Sequence, residues 1–167
     1  MLEIRPLEDD DWPAVWPFFD VFVQAGESYA YPLDLTLESA LDLWRPAPPG
    51  EAVVAVDGGS GSGEVLGTAH WGPNRPGRGS HVATGSFMVD PAAAGKGVGR
   101  ALGEHVVAAA RSAGYRGIQF NAVVETNTVA VRLWHSLGFR VIGTVPGAFR
   151  SAAHGYVGLH VMYLPLD

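Results

Sequence analysis

The chain is 167 residues long with a net charge of −6 at neutral pH, 47% hydrophobic residues and no cysteine. That length fits one domain over residues 1–167, and the acidic balance, with no dense basic run, argues against nucleic acid and anionic membranes as partners. Without cysteine there is no disulfide framework, thiolate nucleophile or cysteine metal site, and no metal ligation is expected from the remaining residues.

Residues 1–25 carry Glu3, Glu8, Asp9, Asp10 and Asp11, the wrong charge for a signal peptide. No apolar run approaches the ~18 residues of a membrane span, so a cytoplasmic protein is the expectation. Leu2–Arg5 reads as a short strand. The acidic cluster then opens a helix with Trp12, Val15, Trp16 and Phe19 inward, Pro13 being tolerated in the first turn. Residues 26–34 form an aromatic loop with Tyr29 and Tyr31, followed by a helix over Thr36–Trp44 that Pro46, Pro48 and Pro49 end. Ala52–Val56 and Val65–Trp71 read as strands joined by a flexible hairpin tip, Asp57-Gly-Gly-Ser-Gly-Ser-Gly. A strand over His81–Val89 precedes a helix that runs to Ser112. A buried strand over Gly117–Val123 and a helix from Asn127 follow, with last strands near Arg140–Val145 and Tyr156–Leu164. This order predicts an α/β sandwich with a mixed central sheet flanked by helices. No internal repeat is present.

The most informative segment joins the Phe87-Met88-Val89 strand end to the next helix through Gly95, Gly97 and Gly99. Alternate glycines let successive backbone N–H groups converge without Cβ atoms in the way, and a helix start adds its own unpaired N–H groups and dipole. Gly95, Lys96, Gly97, Val98, Gly99 and Arg100 thus form a candidate diphosphate site. A dinucleotide fingerprint fails because Arg100 and Leu102 stand where a third glycine is needed. A P-loop fails because Gly97 stands where Ser or Thr must follow Lys96. A second segment, Asn127-Thr-Val-Ala-Val-Arg-Leu-Trp-His-Ser-Leu-Gly-Phe139, reads as a helix with Ala130, Leu133, Trp134 and Leu137 on one face. Thr126 or Asn127 caps it, and Gly138 closes it.

Together these segments resemble the GNAT superfamily of N-acetyltransferases. Ala94, Gly97 and Gly99 match the marked positions of its acetyl-CoA turn, (Gln/Arg)-x-x-G-x-(G/A), with Ala94 a departure. The second segment is similar to N-x-x-A-x-x-L-Y-x-x-x-G-F, with Trp134 in place of tyrosine. The resemblance implies that two parallel strands splay apart, at Val89 and at Asn121, to admit the pantetheine arm of acetyl-CoA. The backbone of Phe87, Met88 and Val89 would then be without sheet partners and free to bind it. It also implies direct transfer of the acetyl group to a small-molecule amine, with the oxyanion held by the N–H of Val89. Short matches at Phe120-Asn121, Asn127, Leu133-Trp134 and Pro146–Phe149 are similar to N-acetyltransferases of proline-like amines.

Each remaining residue carries a functional and a structural reading. Glu27 and Glu125 are candidate bases, against a solvated loop charge and a helix-start charge. Asn121, a carboxamide in an apolar strand, orients substrate or the thioester carbonyl, or else ties down a loop. Asn127 and Trp134 contact cofactor, or cap a helix and pack the core; indole N–H is no acid for the departing thiolate. Tyr29, Tyr31 or Tyr156, solvent, or the substrate ammonium remains as proton source. Tyr29, Tyr31, Phe149 and Arg150 are assigned to loops flanking the acceptor, where Arg150 pairs with a carboxylate. Antibiotic, polyamine and protein N-terminal acceptors stay open, as do a homodimer and a non-catalytic acyl-CoA-binding module.

Overall fold

A computed structural model describes residues 1–58 and 63–167. The hairpin tip expected over residues 57–63 centres on residues 59–62, which lie outside the described residues. In chain order the elements are β1 (Leu2–Pro6), α1 (Trp12–Ala25), α2 (Leu37–Trp44), β2 (Glu51–Asp57), β3 (Glu64–Pro73), β4 (Val82–Val89), α3 (Val98–Ser112), β5 (Gly117–Val124), α4 (Thr128–Ser136), β6 (Arg140–Ser151) and β7 (Gly155–Pro165). The strands form one sheet in the order β1-β2-β3-β4-β5-β7-β6. The neighbours β4 and β5 run parallel and the other neighbouring pairs antiparallel. The alternating elements therefore give the mixed α/β sandwich that their order predicts.

Alternation along β2 shows how the two faces are covered. Val54 and Val56 pack with Trp12, Val15, Phe19 and Trp44 of α1 and α2. Val53 and Ala55 pack with Val98, Leu102 and Val106 of α3 on the other face. Burying each large side chain contributes about 1.5–3 kcal/mol. Their polar atoms are satisfied. Trp12 Nε1–H donates to Leu37 O at 2.7 Å. Trp44 Nε1–H donates to Thr68 Oγ1 at 3.0 Å, and that hydroxyl donates to Val53 O at 2.8 Å. The acidic start of α1 works through one residue more than through the dipole. Asp11 is buried and takes both arms of the Arg5 guanidinium at 2.7 Å, which hold its carboxyl below the usual range.

The parallel pair is short. β4 and β5 match only at Val82–Gly117 and Ala83–Ile118, after which each strand stays with its antiparallel neighbour. Phe87, Phe120 and Trp134 wedge into the resulting gap, with ring centroids 4.6–5.7 Å apart.

One boundary differs from expectation in a way that matters. Phe149 and Arg150 lie inside β6, not in a loop. Pro146-Gly147 reads as a turn in sequence, but β6 is an edge strand, where proline is tolerated. The register shift between Val145 and Phe149, with Gly147 at φ 62, absorbs the irregularity, and pairing with β7 resumes.

Candidate active site

The gap opens into a cleft of about 340 Å³ lined by β4 from Thr84 to Phe87, β5 from Phe120 to Val124, Ser28 and Tyr29 of the α1–α2 loop, and Asn127, Ala130 and Trp134. Asp90 N–H bonds to Leu66 O on β3 at 2.9 Å. By the two-residue alternation of a strand, Met88 also faces β3, while Phe87 and Val89 direct their backbone groups into the gap. Phe87 and Val89 therefore have no partner on β5, whereas the expectation that Met88 also lacks a sheet partner is corrected. That residue pairs with Thr68, and its side chain is buried against α1. Phe87 O is also not empty-handed, since the Tyr29 hydroxyl donates to it. Burial pushes the Tyr29 hydroxyl well above its ordinary value, so it stays protonated.

Beyond β4 the chain turns through Pro91–Ala93 into the glycines. Gly95 and Gly97 sit at φ 77 and φ 79, the left-handed region that only glycine enters freely. Gly99 differs, because a Cβ there would lie 3.4 Å from Leu133 and 3.6 Å from Val89. The two sequence segments and the strand end therefore meet at this residue. Ala101 is the first residue of α3 to bond backward, to Gly97 O at 3.0 Å. The N–H groups of Val98, Gly99 and Arg100 have no intrahelical partner, and no side chain caps them. The surface at this helix start is open. Val98 keeps its side chain in the core, and Ala94 is exposed. Lys96 is exposed and makes no ion pair among the described residues. Arg100 is engaged elsewhere, with Ser136 Oγ at 2.8 Å and Glu104 at 3.6 Å.

The candidate bases are both tied down. Glu27 Oε2 accepts from Ser151 Oγ at 2.6 Å and Oε1 from Ala153 N–H at 2.7 Å, which hold its carboxyl below the usual range. Glu27 lines a separate hollow beside the cleft with Ser28 and Asn127. Glu125 accepts from Gly158 N–H at 2.6 Å, fastening the end of β5 to β7, and does not line the cleft. Asn127 caps α4 by accepting from Ala130 N–H at 3.3 Å while facing the cleft.

Asn121 is exposed, not buried in an apolar strand. The register shift between Phe120 and Val123 turns it out on a bulge, and β4 no longer covers that side. Its Nδ2 donates to Asn74 Oδ1 at 2.6 Å, and its Oδ1 accepts from Gln119 Nε2 at 2.9 Å. Trp134 is 7% exposed and packs on Phe87, Phe120 and Phe139.

Of the proposed acceptor residues, Tyr29 lines the cleft and Tyr31 stacks parallel on it at 5.7 Å. Phe149 is buried with Val124 and Val157, outside the cleft. Arg150 is exposed on the edge strand, opposite Tyr156.

Residues 2–139 match the model of the acetyltransferase (GNAT) family. The chain belongs to the GNAT family of acetyltransferases. A GCN5-related N-acetyltransferase from Kribbella flavida is similar over 98% of this chain and 97% of its own, with 59% identity and a TM-score of 0.93. N-acetyltransferase aca1 of Schizosaccharomyces pombe is 30% identical over 160 residues, 86% of this chain and 75% of that protein. The structure of yncA from Salmonella typhimurium, a putative acetyltransferase with its cofactor acetyl-CoA, covers 100% of this chain and 95% of its own, at 25% identity and a TM-score of 0.81.

Within this GNAT chain, Thr84 and Ser86 on the cleft wall, and His70 and Asn74 nearby, join the residues that sequence motifs point to. His70 carried a usable signal, a single imidazole in the apolar run Leu66–Trp71. Thr84 and Ser86 carried none, because hydroxyls are ordinary in strands.

Proposed function

We propose that the chain transfers an acetyl group from acetyl-CoA to the amine of a small molecule in the cleft between β4 and β5. One observation carries the reading: a gap between parallel strands, lined by strand backbone that does not pair across it, ends at an uncapped helix start behind two left-handed glycines. The N–H groups of Gly97, Val98, Gly99 and Arg100 suit a diphosphate, and the gap suits an amide-bearing arm that bonds to strand groups. The thioester then lies beside Phe87–Val89, and Val89 N–H stabilises the oxyanion formed when the amine attacks.

Atoms balance without a further residue. The nitrogen gains a C–N bond as the C–S bond breaks, and the proton it sheds goes to the departing thiolate. Trp134 takes no part in that transfer, because indole gives up no proton in this range. Glu27 and Glu125 serve as ties between the α1–α2 loop, β5 and the β6–β7 hairpin. The acceptor therefore loses its first proton to solvent. The rate should then climb with pH through the acceptor's own titration.

Incubation with acetyl-CoA and an amine library, read as free CoA and as acetylated product by mass spectrometry, tests the reading. CoA release that depends on one amine class supports it. Tight acetyl-CoA binding with no turnover on any amine would replace it with a non-catalytic binding module.

A further inference from the structure

A second cavity, of about 660 Å³, lies between the proline loop after α2 and the β3–β4 connection. Pro46, Pro48 and Pro49 form one wall and His70 lies against Trp44, ring centroids 4.5 Å apart and nearly perpendicular. Close approach of the loop is built in, since a Cβ on Gly72 would lie 3.0 Å from Gly50 Cα. Burial pushes the His70 imidazole down to about 4, so near neutrality it is uncharged, with one N–H to donate and one lone pair to accept. Arg75 also lines this cavity. Among the described residues its only hydrogen bond is a 3.3 Å contact to the neighbouring Asn74 O, and it makes no ion pair. In a chain with 17 acids to 11 basic residues, an uncommitted guanidinium over a cavity is a candidate anion partner.

The cavity adjoins the acetyl-transfer cleft. Thr84 lines both, and the Asn121–Asn74 hydrogen bond joins the lip of one to the lip of the other. We propose that this cavity is the second half of the acceptor site, where Arg75 holds the carboxylate of an amino acid whose amine passes Thr84 into the cleft. The proposal rests on the cleft's reading as the acetyl-transfer site. His70 supplies a neutral hydrogen bond, and Pro46, Pro48, Pro49 and Pro73 accommodate a compact apolar body. Arg75 takes over the carboxylate role that sequence assigned to Arg150, which lines neither cavity.

The test compares proline, prolinamide and pyrrolidine, and leucine, leucinamide and 3-methylbutylamine, as acceptors with the full chain. We expect kcat/KM for the acids to exceed that for their amides by about tenfold or more, the usual worth of a charge-assisted bond. Arg75→Gln should shrink the preference to about threefold or less through acceptor KM, with KM for acetyl-CoA unchanged. Equal use of acid and amide by the wild-type chain, or a loss in Arg75→Gln common to all three compounds, would overturn the subsite and leave acetyl transfer standing. If no compound releases CoA, calorimetry with proline and leucine decides. Binding weakened about tenfold by Arg75→Gln supports the subsite, whereas no binding, or equal binding by Arg75→Gln, overturns it; acetyl transfer itself is decided by the amine library.

Discussion

His70 makes the stability of this protein depend on pH between about 4 and about 6.5. An imidazole in an unfolded chain takes its proton near pH 6.5, whereas burial against Trp44 lowers the folded value to about 4. Between those values the unfolded chain holds more protons than the native one, so stability falls as the pH falls. The contribution is complete above about pH 6.5 and is lost progressively down to about pH 4. At about 1.4 kcal/mol per tenfold change in proton affinity, the full loss is roughly 3 kcal/mol. Asp11 and Glu27, whose carboxyls are held low by Arg5 and Ser151, act with the same sign but only below the ordinary carboxylate range. Urea unfolding followed by circular dichroism, from about pH 7 to about pH 4.5, should show the wild-type chain losing most of this amount. His70→Gln should start from its own offset and lose far less over the same interval. Two parallel stability-against-pH curves would refute the reasoning, because they would mean that His70 titrates alike in the folded and unfolded chain.

Gly97→Asp should fold, since no atom lies within 4 Å of a Cβ built there, at about 1 kcal/mol of left-handed strain. Its carboxylate would face the proposed diphosphate, and each charge pair costs about 4 kcal/mol at ~4 Å under partial screening, so calorimetry showing unchanged acetyl-CoA affinity would remove the site from this turn. Trp134→Ala should cost about 3–5 kcal/mol by opening a cavity among Phe87, Phe120 and Phe139, while Trp134→Phe keeps turnover within about tenfold. A thousandfold loss in a folded, cofactor-binding Trp134→Phe would assign the indole a chemical role. Gly103→Ala would set a Cβ 2.6 Å from the terminal methyl of Leu137 and 3.2 Å from Trp134; Leu137 can swing aside and alanine gains about 1 kcal/mol of helix propensity, so the thermal midpoint should change little, and a large drop would show that Leu137 and Trp134 cannot give way. Glu27→Gln weakens the tie to Ser151 and Ala153, so it should lower the thermal midpoint and leave the transfer rate per folded molecule within about threefold; a much larger loss of rate would restore Glu27 as a base.

What the sequence determined by itself is local. Gly95 and Gly97 announce left-handed positions because no other residue enters them freely, and both occupy them. Asn127, the apolar face from Ala130 to Leu137, and Gly138 define α4 within a dozen residues, and all three features hold. The order of strands and helices, with their apolar alternation, determined the sandwich. Only the tertiary structure decided what depends on partners distant in the chain. Asn121 is exposed because β5 loses β4 beside it and bulges against β7, and its partner Asn74 lies 47 residues away. Met88 faces β3 and not the cleft because its register with Thr68 is set by the antiparallel pair. Phe149 and Arg150 stay in a strand because β7 pairs with them beyond Gly147. The cavity of His70 and Arg75 exists only where the proline loop after α2 folds over the end of β3. Pairing between distant segments selects which face of a strand meets the core, and a one-residue change in register reverses that face. Local pattern carries no record of that choice.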